Sequence, residues 1–209
     1  MRLLLARHGE TAWNENGRFQ GARVTVGLSE RGQRQAAALA KAIALLKPVA
    51  IFSSPLPRAM ETARAIAQPL GLEPSPVDAL REMEIGQMEG LTGKEMEERF
   101  PEFTVRWRQD PSSVSMPGGE SFSQLQARAW AVVEEVSKRH IEDTVVIVSH
   151  HFTLQTILCS VLGLPLSRVR ALRVDLASLS TVELRDGVSR LLLLNDRCHI
   201  SPADVGTSH

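Results

Sequence analysis

The chain has 209 residues, 43% of them hydrophobic, and carries 24 basic against 24 acidic side chains for a formal net charge of +0. That balance removes any broad electrostatic attraction to nucleic acid or to an anionic membrane, so an anion site has to be local. The cysteines, Cys159 and Cys198, form no C-x-x-C pair and fit a reducing cytoplasm better than a stapled secreted domain, and no apolar run approaches the length that spans a bilayer.

In chain order, the apolar run Leu3-Leu4-Leu5-Ala6 predicts a buried strand that ends on Arg7-His8-Gly9-Glu10-Thr11. Thr11 to Gly27, with Gly17, Gly21 and Gly27 among polar residues, predicts a loop holding one short turn of helix. Ser29 is placed to cap a helix whose stripe Ala36, Leu39, Ala40, Ile43 and Leu46 keeps 3.6-residue spacing until Pro48. A strand over 49–53, a helix over 57–69 and a strand end at Val77-Asp78-Ala79-Leu80 follow, with Glu82 just beyond. From Glu82 to about Ser121 the order weakens into glycines, prolines and one acidic helix opened by the Thr92-x-x-Glu95 box, which predicts a lid over 83–120. A second capping box, Ser121-x-x-Gln124, starts a long helix that feeds the strand Val145 to Ser149, ending at His150. A helix from His151 to Leu162 and two strands near 180–185 and 189–195 close the pattern. The alternation predicts an α/β fold, a three-layer α/β/α sandwich with a mainly parallel central sheet and a lid-like insertion, as one domain over 1–200 with a flexible tail over 201–209.

In such sheets ligands sit outside the carboxyl ends of the strands, and here strand ends deliver Arg7, His8 and His150, with Arg58 a few residues after a third. That chemistry suits a phosphoryl group. A neutral imidazole, His8, is a competent nucleophile toward phosphorus near neutral pH, while Arg7, Arg58 and His150 supply fixed donors to the equatorial oxygens. Glu82 is the carboxyl placed to protonate a leaving alkoxide, with Glu84 and Glu89 as competitors nearby. Each residue also has a plainer reading: an Arg-His pair after a strand is by itself most often a surface turn, and Arg58 a helix-surface charge. The pair His150-His151 does not suggest a metal, because adjacent residues on an extended segment point apart and no third ligand has sensible spacing. Trp107 and Trp130 read as packing residues.

The pentapeptide Arg7-His8-Gly9-Glu10-Thr11 resembles the R-H-G-x-[ST] signature of the histidine phosphatase superfamily, the phosphoglycerate mutase-like family. The resemblance continues in order through Trp13-Asn14, Arg18-Phe19-Gln20-Gly21, Leu28 to Gly32, Ser53 to Ala59, Leu80-Arg81-Glu82, Pro117 to Ser121 and Val148-Ser149-His150. It implies a phosphohistidine on His8, a phosphate pocket of Arg7, Arg58 and His150, and Glu82 as proton donor. It adds Thr11 and Asn14 as hydrogen-bonding neighbours of the phosphate, and Gln20-Gly21 as a substrate-touching loop. It implies no metal and no cofactor, a small-molecule phosphomonoester as partner, and a homodimer as an assembly common in the family, while the even charge balance argues for no nucleic-acid or membrane partner. His151 stands where many members carry glycine and adds bulk and a donor to the pocket wall. The phosphatase branch resembles this chain more than the mutases, which tend to carry a tyrosine shortly after the catalytic glutamate; this chain has no tyrosine. A cofactor-dependent mutase and a silent phospho-ligand binding module are the alternatives, the second opposed by the presence of all five chemical residues. A taste for hydrophobic alcohols is a further expectation, from the low charge and Phe152 beside His150.

Overall fold

The structure, a computed structural model, describes residues 1–205. β1 (Arg2–Arg7) is the apolar run at the amino end, and Thr11 caps the short α1 (Ala12–Glu15). Ser29 Oγ accepts from the Gly32 amide at the start of α2 (Glu30–Ala44). β2 (Ala50–Ser53) leads to α3 (Pro57–Ala67), with proline at the first turn, where its missing N–H costs nothing. β3 (Ser75–Pro76) is two residues long, and the Val77–Leu80 strand end expected from the sequence is instead a 3-10 turn over Asp78–Leu80. Four consecutive residues there carry apolar or mixed character without alternation, and after Pro76 a bond from the Val77 amide to Ser53 O at 2.8 Å is the last tie to β2 before the turn.

Residues 83–120 hold two helices, α4 (Gly93–Arg99) and α5 (Pro101–Gln109). Pro101, one of the prolines of this stretch, sits at the first position of α5, where its fixed φ starts a helix. α6 (Phe122–Arg139) opens on the Ser121–Gln124 capping box as expected. β4 (Thr144–Ser149), α7 (His151–Leu162), β5 (Leu179–Arg185) and β6 (Val188–Asp196) follow. The tail expected over 201–209 is not loose where it is described: Pro202–Asp204 form a 3-10 turn, Arg34 Nε donates to Asp204 Oδ1 at 2.9 Å, and Gln35 Nε2 donates to Asp204 O at 2.8 Å. Residues 206–209 lie outside the described residues.

The six strands form one sheet in the order β3-β2-β4-β1-β5-β6, the first four parallel and the last two antiparallel. The alternation of side chains divides the core in two. Leu3 and Leu5 of β1, with Val145 and Ile147 of β4, pack on Leu125, Ala129 and Val133 of α6 and Leu154 and Ile157 of α7. Leu4 and Ala6, with Val146 and Val148, pack on Leu39 and Ile43 of α2 and Ala63 and Ile66 of α3. Leu3, Leu4 and Leu5 are each at most 1% exposed, and each such burial stabilises by roughly 1.5–3 kcal/mol. Helices therefore cover both faces, and this is the α/β sandwich the sequence predicts. Within residues 83–120, Met83, Ile85, Met88, Phe103 and Met116 are buried in the α6/α7 side of the core, the last four also bordering a small apolar cavity with Phe19, Met96, Trp107 and Phe152.

Candidate active site

The parallel strands end in step, because the register sets Arg7 beside Ser149 and Ser53 beside Val148. The residues that follow, His8, His150 and Ser54, therefore emerge together at the carboxyl edge of the sheet. Two glycines make this possible. A Cβ on Gly9 would stand 2.5 Å from Gly32 O, and one on Gly32 would stand 2.0 Å from Glu10 O, so the His8 loop lies directly on the first turn of α2. Glu10 secures that contact: its carboxylate accepts from Ser29 Oγ at 3.0 Å and Arg31 Nη1 at 2.9 Å, and its amide donates to Gln35 Oε1 at 2.8 Å. The Gly9 amide donates to Thr62 Oγ1 at 3.2 Å and Thr62 Oγ1 donates to Arg58 O at 2.8 Å, which ties the loop to α3.

His8 is 3% exposed, and its Nδ1 lies 2.7 Å from the Gly9 carbonyl. A carbonyl can only accept, so Nδ1 carries the proton and Nε2 the lone pair. Burial first, then the charges of Arg58 and Arg7, push the His8 pKa well below its ordinary value, so the ring is neutral at pH 7. The His150 ring lies 5.1 Å from that of His8, is fully buried, and places Nε2 at 2.7 Å from Ser54 Oγ. Ser54 Oγ already accepts from the Leu56 amide at 3.3 Å and has its own proton to give. Donated to Nε2, that proton leaves the imidazole hydrogen on Nδ1, which is buried with no partner. Burial, with Arg58 and His8 adding to it, also pushes His150 well below its ordinary pKa.

The arginines are oriented by backbone. Arg7 Nη1 donates to Val174 O at 2.8 Å, and Arg58 donates from Nη1 to Val24 O at 3.0 Å and from Nη2 to Gly21 O at 3.1 Å. In both, Nε is buried without a partner. Burial lowers each guanidinium to about 10, opposed chiefly by the nearby Glu82 carboxylate, so both stay charged at neutral pH. Glu82 sits at the start of α7, its Oε2 accepting from the Phe152 amide at 3.1 Å and its Oε1 from the Met83 amide at 2.8 Å, the Thr153 amide at 3.3 Å and Thr153 Oγ1 at 3.2 Å. Glu84 and Glu89, the sequence competitors, face elsewhere: Glu84 meets Arg23 at 2.9 Å, and Glu89 accepts from the Gly21 amide at 2.7 Å.

His8, Arg7, Arg58, His150 and Glu82 thus come together. Thr11, Asn14 and Gln20 form a separate knot, Thr11 Oγ1 lying 3.0 Å from Asn14 Oδ1 and 2.9 Å from Gln20 Oε1, while Gln20 Nε2 is a buried donor without a partner. Gly21 touches the site through the carbonyl that orients Arg58, and a Cβ there would meet Ile85 at 2.5 Å. His151 Nδ1 lies 3.1 Å from Val174 O and the ring borders Arg7; burial and Arg7 lower its pKa to about 3. Sequence reasoning missed the Val174 carbonyl that aligns Arg7, since a backbone acceptor leaves no residue signature.

A cleft of about 690 Å³ shares Arg7 and His151 with this site. Phe19, Met96, Trp107 and Phe152 form its apolar part, and Arg108, Arg170, Arg173, Glu97 and Asp175 its charged part. Arg106 does not line it. Phe152 meets Trp107 and Phe122 edge-on at 5.9 and 5.4 Å, so its bulk is anchored in an aromatic stack as much as it is offered to the cleft. With six charged residues at its wall, Arg7 included, the cleft does not support the expected preference for hydrophobic alcohols. Among the described residues no group of three or more His, Cys, Asp or Glu could hold a metal ion, and no helix is long and apolar enough to cross a membrane.

The chain is 38% identical over 200 residues to phosphoserine phosphatase 1 of Hydrogenobacter thermophilus, covering 96% of this chain and 94% of that one. It is 35% identical over 202 residues to the metal-independent phosphoserine phosphatase of Arabidopsis thaliana, covering 95% and 83%. Its fold superposes on Bacillus stearothermophilus YhfR with a TM-score of 0.90 at 30% identity, covering 96% and 99%. A mycobacterial glucosyl-3-phosphoglycerate phosphatase complexed with VO3 superposes with a TM-score of 0.87 at 32% identity, covering 94% and 99%. The profile of the histidine phosphatase superfamily (branch 1) matches residues 3–197, and the chain belongs to that superfamily as a phosphoric monoester hydrolase.

Proposed function

We propose that the protein hydrolyses small phosphomonoesters, without a metal, through a phosphohistidine on His8. The observation that carries this reading is the convergence of buried donors without partners, Arg7 Nε, Arg58 Nε and His150 Nδ1, beside a neutral imidazole whose lone pair is on Nε2. A buried donor left unpaired costs about 1–3 kcal/mol, and phosphoryl oxygens relieve that cost while the arginines hold the charge of the transition state. In the first step His8 Nε2 bonds to phosphorus, the ester P–O bond breaks, and the leaving alkoxide takes the proton of Glu82. In the second, water attacks phosphorus with its proton passing to Glu82, the P–N bond breaks, and inorganic phosphate leaves. Gln20 Nε2, the unpaired donor of the Thr11–Asn14–Gln20 knot, is the further contact for phosphate or substrate.

For the alcohol, the cleft wall is charged but largely self-paired, Arg108 with Glu97 and Arg173 with Asp175 at 2.8 Å, so a compact charged group would bind by exchanging with these ion pairs or by meeting Arg170. Relatives named phosphoserine phosphatase make phosphoserine the first substrate to try. We place the protein in the cytoplasm, on its cysteine usage, with no nucleic-acid or membrane partner. The homodimer has its candidate face on the edge strand β6, where Leu192 and Leu193 are 50% and 41% exposed; sedimentation velocity tests it.

The test of the chemistry is phosphate release from phosphoserine, phosphoglycerates, sugar phosphates and an aryl ester in EDTA, with His8→Ala alongside. Release that survives EDTA, an acid-labile phosphoenzyme and loss of both in His8→Ala are expected. Turnover that persists in His8→Ala refutes the phosphohistidine, and turnover abolished by EDTA refutes metal independence.

A further inference from the structure

Arg128 lies on α6, outside the phosphate site, and takes no part in the reaction as written above. Charged residues on a helix usually face water. This one does not: Nη1 donates to Ala79 O at 2.7 Å and Arg81 O at 2.8 Å, Nη2 to Glu82 O at 3.0 Å and Glu120 Oε1 at 2.6 Å, and Nε to Glu120 Oε2 at 3.1 Å. The guanidinium has five N–H groups, so this set occupies all of them. Glu120 extends the grip, because its Oε1 also accepts from the Glu84 amide at 2.8 Å and its own amide donates to Glu84 O at 2.8 Å. One bidentate ion pair, its side chains 25% and 15% exposed, therefore holds the backbone on both sides of Glu82.

That backbone has little else to fix it. Between the 3-10 turn ending at Leu80 and the next one beginning at Gly86, the chain has no regular structure. Two side-chain hydroxyls reach its carbonyls, Ser149 Oγ to Leu80 O at 2.7 Å and Thr153 Oγ1 to Arg81 O at 2.9 Å. The bonds to the Glu82 carboxylate itself come from the start of α7 and from Met83. A planar fork that bonds three carbonyls and a carboxylate at once is a placement device that a lysine cannot reproduce.

We propose that Arg128, locked by Glu120, is a positioning residue that sets the Glu82 carboxyl for proton transfer to the leaving group. The proposal rests on the role given to Glu82 above. Proton transfer in the transition state needs hydrogen-bond reach, and a displacement of about 1 Å at a catalytic group costs on the order of 10²-fold in rate. The dependence falls on one class of substrate. An alkoxide is a poor leaving group and needs the proton, whereas an aryl oxide such as para-nitrophenolate departs without it. In kcat/KM, which reports the steps through P–O cleavage and not the later use of Glu82 as base for water, a residue that acts through Glu82 therefore matters for alkyl esters and hardly at all for aryl esters, and a residue that merely stabilises the fold lowers both alike.

The experiment compares kcat/KM for phosphoserine and para-nitrophenyl phosphate, both taken from the panel above, in the wild type, Glu82→Gln, Arg128→Ala and the double variant, with urea denaturation of each. Expected is a loss of about 10- to 100-fold for Arg128→Ala on the alkyl ester, less than about threefold on the aryl ester, and no further loss when it is added to Glu82→Gln. If Arg128→Ala fails to fold, Glu120→Gln, which weakens the grip from the other side, carries the same comparison. Equal losses on the two esters, or losses that multiply with those of Glu82→Gln, overturn the positioning role while leaving Glu82 as the acid. An alkyl ester untouched in Glu82→Gln removes Glu82 as the proton donor and the inference with it.

Discussion

Gly32→Ala is the substitution in which fold and chemistry should part company. A Cβ at this position stands 2.0 Å from Glu10 O and 2.9 Å from Glu10 C and N, all backbone atoms that cannot rotate away. Relief requires the His8 loop and the first turn of α2 to separate by at least about 1 Å, given carbon contacts near 3.5 Å. Overpacking of this kind costs about 1–3 kcal/mol, and alanine in a helix returns up to about 1 kcal/mol, so the net loss of stability is about 0–2 kcal/mol. Activity has no such offset. Glu10 is two residues from His8, whose Nε2 has to meet phosphorus in line, and a 1 Å displacement there costs on the order of 10²-fold. The assay pairs phosphate release with urea denaturation, and Gly93→Ala is the control, since nothing lies within 4 Å of its Cβ. The control, a residue of the cleft wall, is read for stability alone and should lose none. A Gly32→Ala protein with more than half of the wild-type turnover would refute the argument that the loop is held by backbone contact.

Acid should unfold the protein earlier than its carboxylates alone require. His8 and His150 are held well below their ordinary pKa and His151 at about 3, all by burial first. In the unfolded chain each titrates near 6.5, so below that pH the unfolded state binds protons that the folded state refuses, and stability falls as the pH falls. Between about pH 7 and pH 5.5 the loss is roughly 1 kcal/mol per histidine, about 3 kcal/mol together, and a urea midpoint that does not move over that interval contradicts it. Orthovanadate near 100 times its dissociation constant should raise stability by about 2.7 kcal/mol, because it satisfies the unpaired donors of Arg7, Arg58 and His150. Arg58→Met should abolish most of that thermal shift; an undiminished shift would place the anion elsewhere.

The strand ends were legible because the signal is local: an apolar run followed by His8 or His150 states both the strand and the side chain that leaves it. Capping boxes at Thr92 and Ser121 were legible for the same reason. The segment Val77–Leu80 departs from the expected strand because its fate depends on a partner, and β2, paired with Ser75 and Pro76, reaches only as far as a bond from the Val77 amide to Ser53 O at 2.8 Å. Pro101 shows that a proline marks a boundary without saying which side of it is helical. Thr11 and Asn14 match a family pattern, yet the structure gives them hydrogen bonds to each other, in a capping box that sequence spacing already permits. Arg128 was invisible, since five backbone and carboxylate contacts gathered from two segments, 79–82 and Glu120, have no footprint in the helix that carries the arginine. Phe152 misled in a simpler way: its neighbours Trp107 and Phe122 are distant in sequence, so the stack that restrains it could not be foreseen.

The helices α4 and α5 form one wall of the cleft, yet none of the hydrogen bonds that orient Arg7, His8, Arg58, Glu82 or His150 comes from residues 93–109. Inheritance can therefore act on the two parts at different rates. On the function proposed above, substitutions on the cleft side of this wall are expected to alter which alcohol is admitted while the orienting hydrogen bonds stay in place. The same separation makes 93–109 the stretch to randomise when a new ester is wanted from this scaffold.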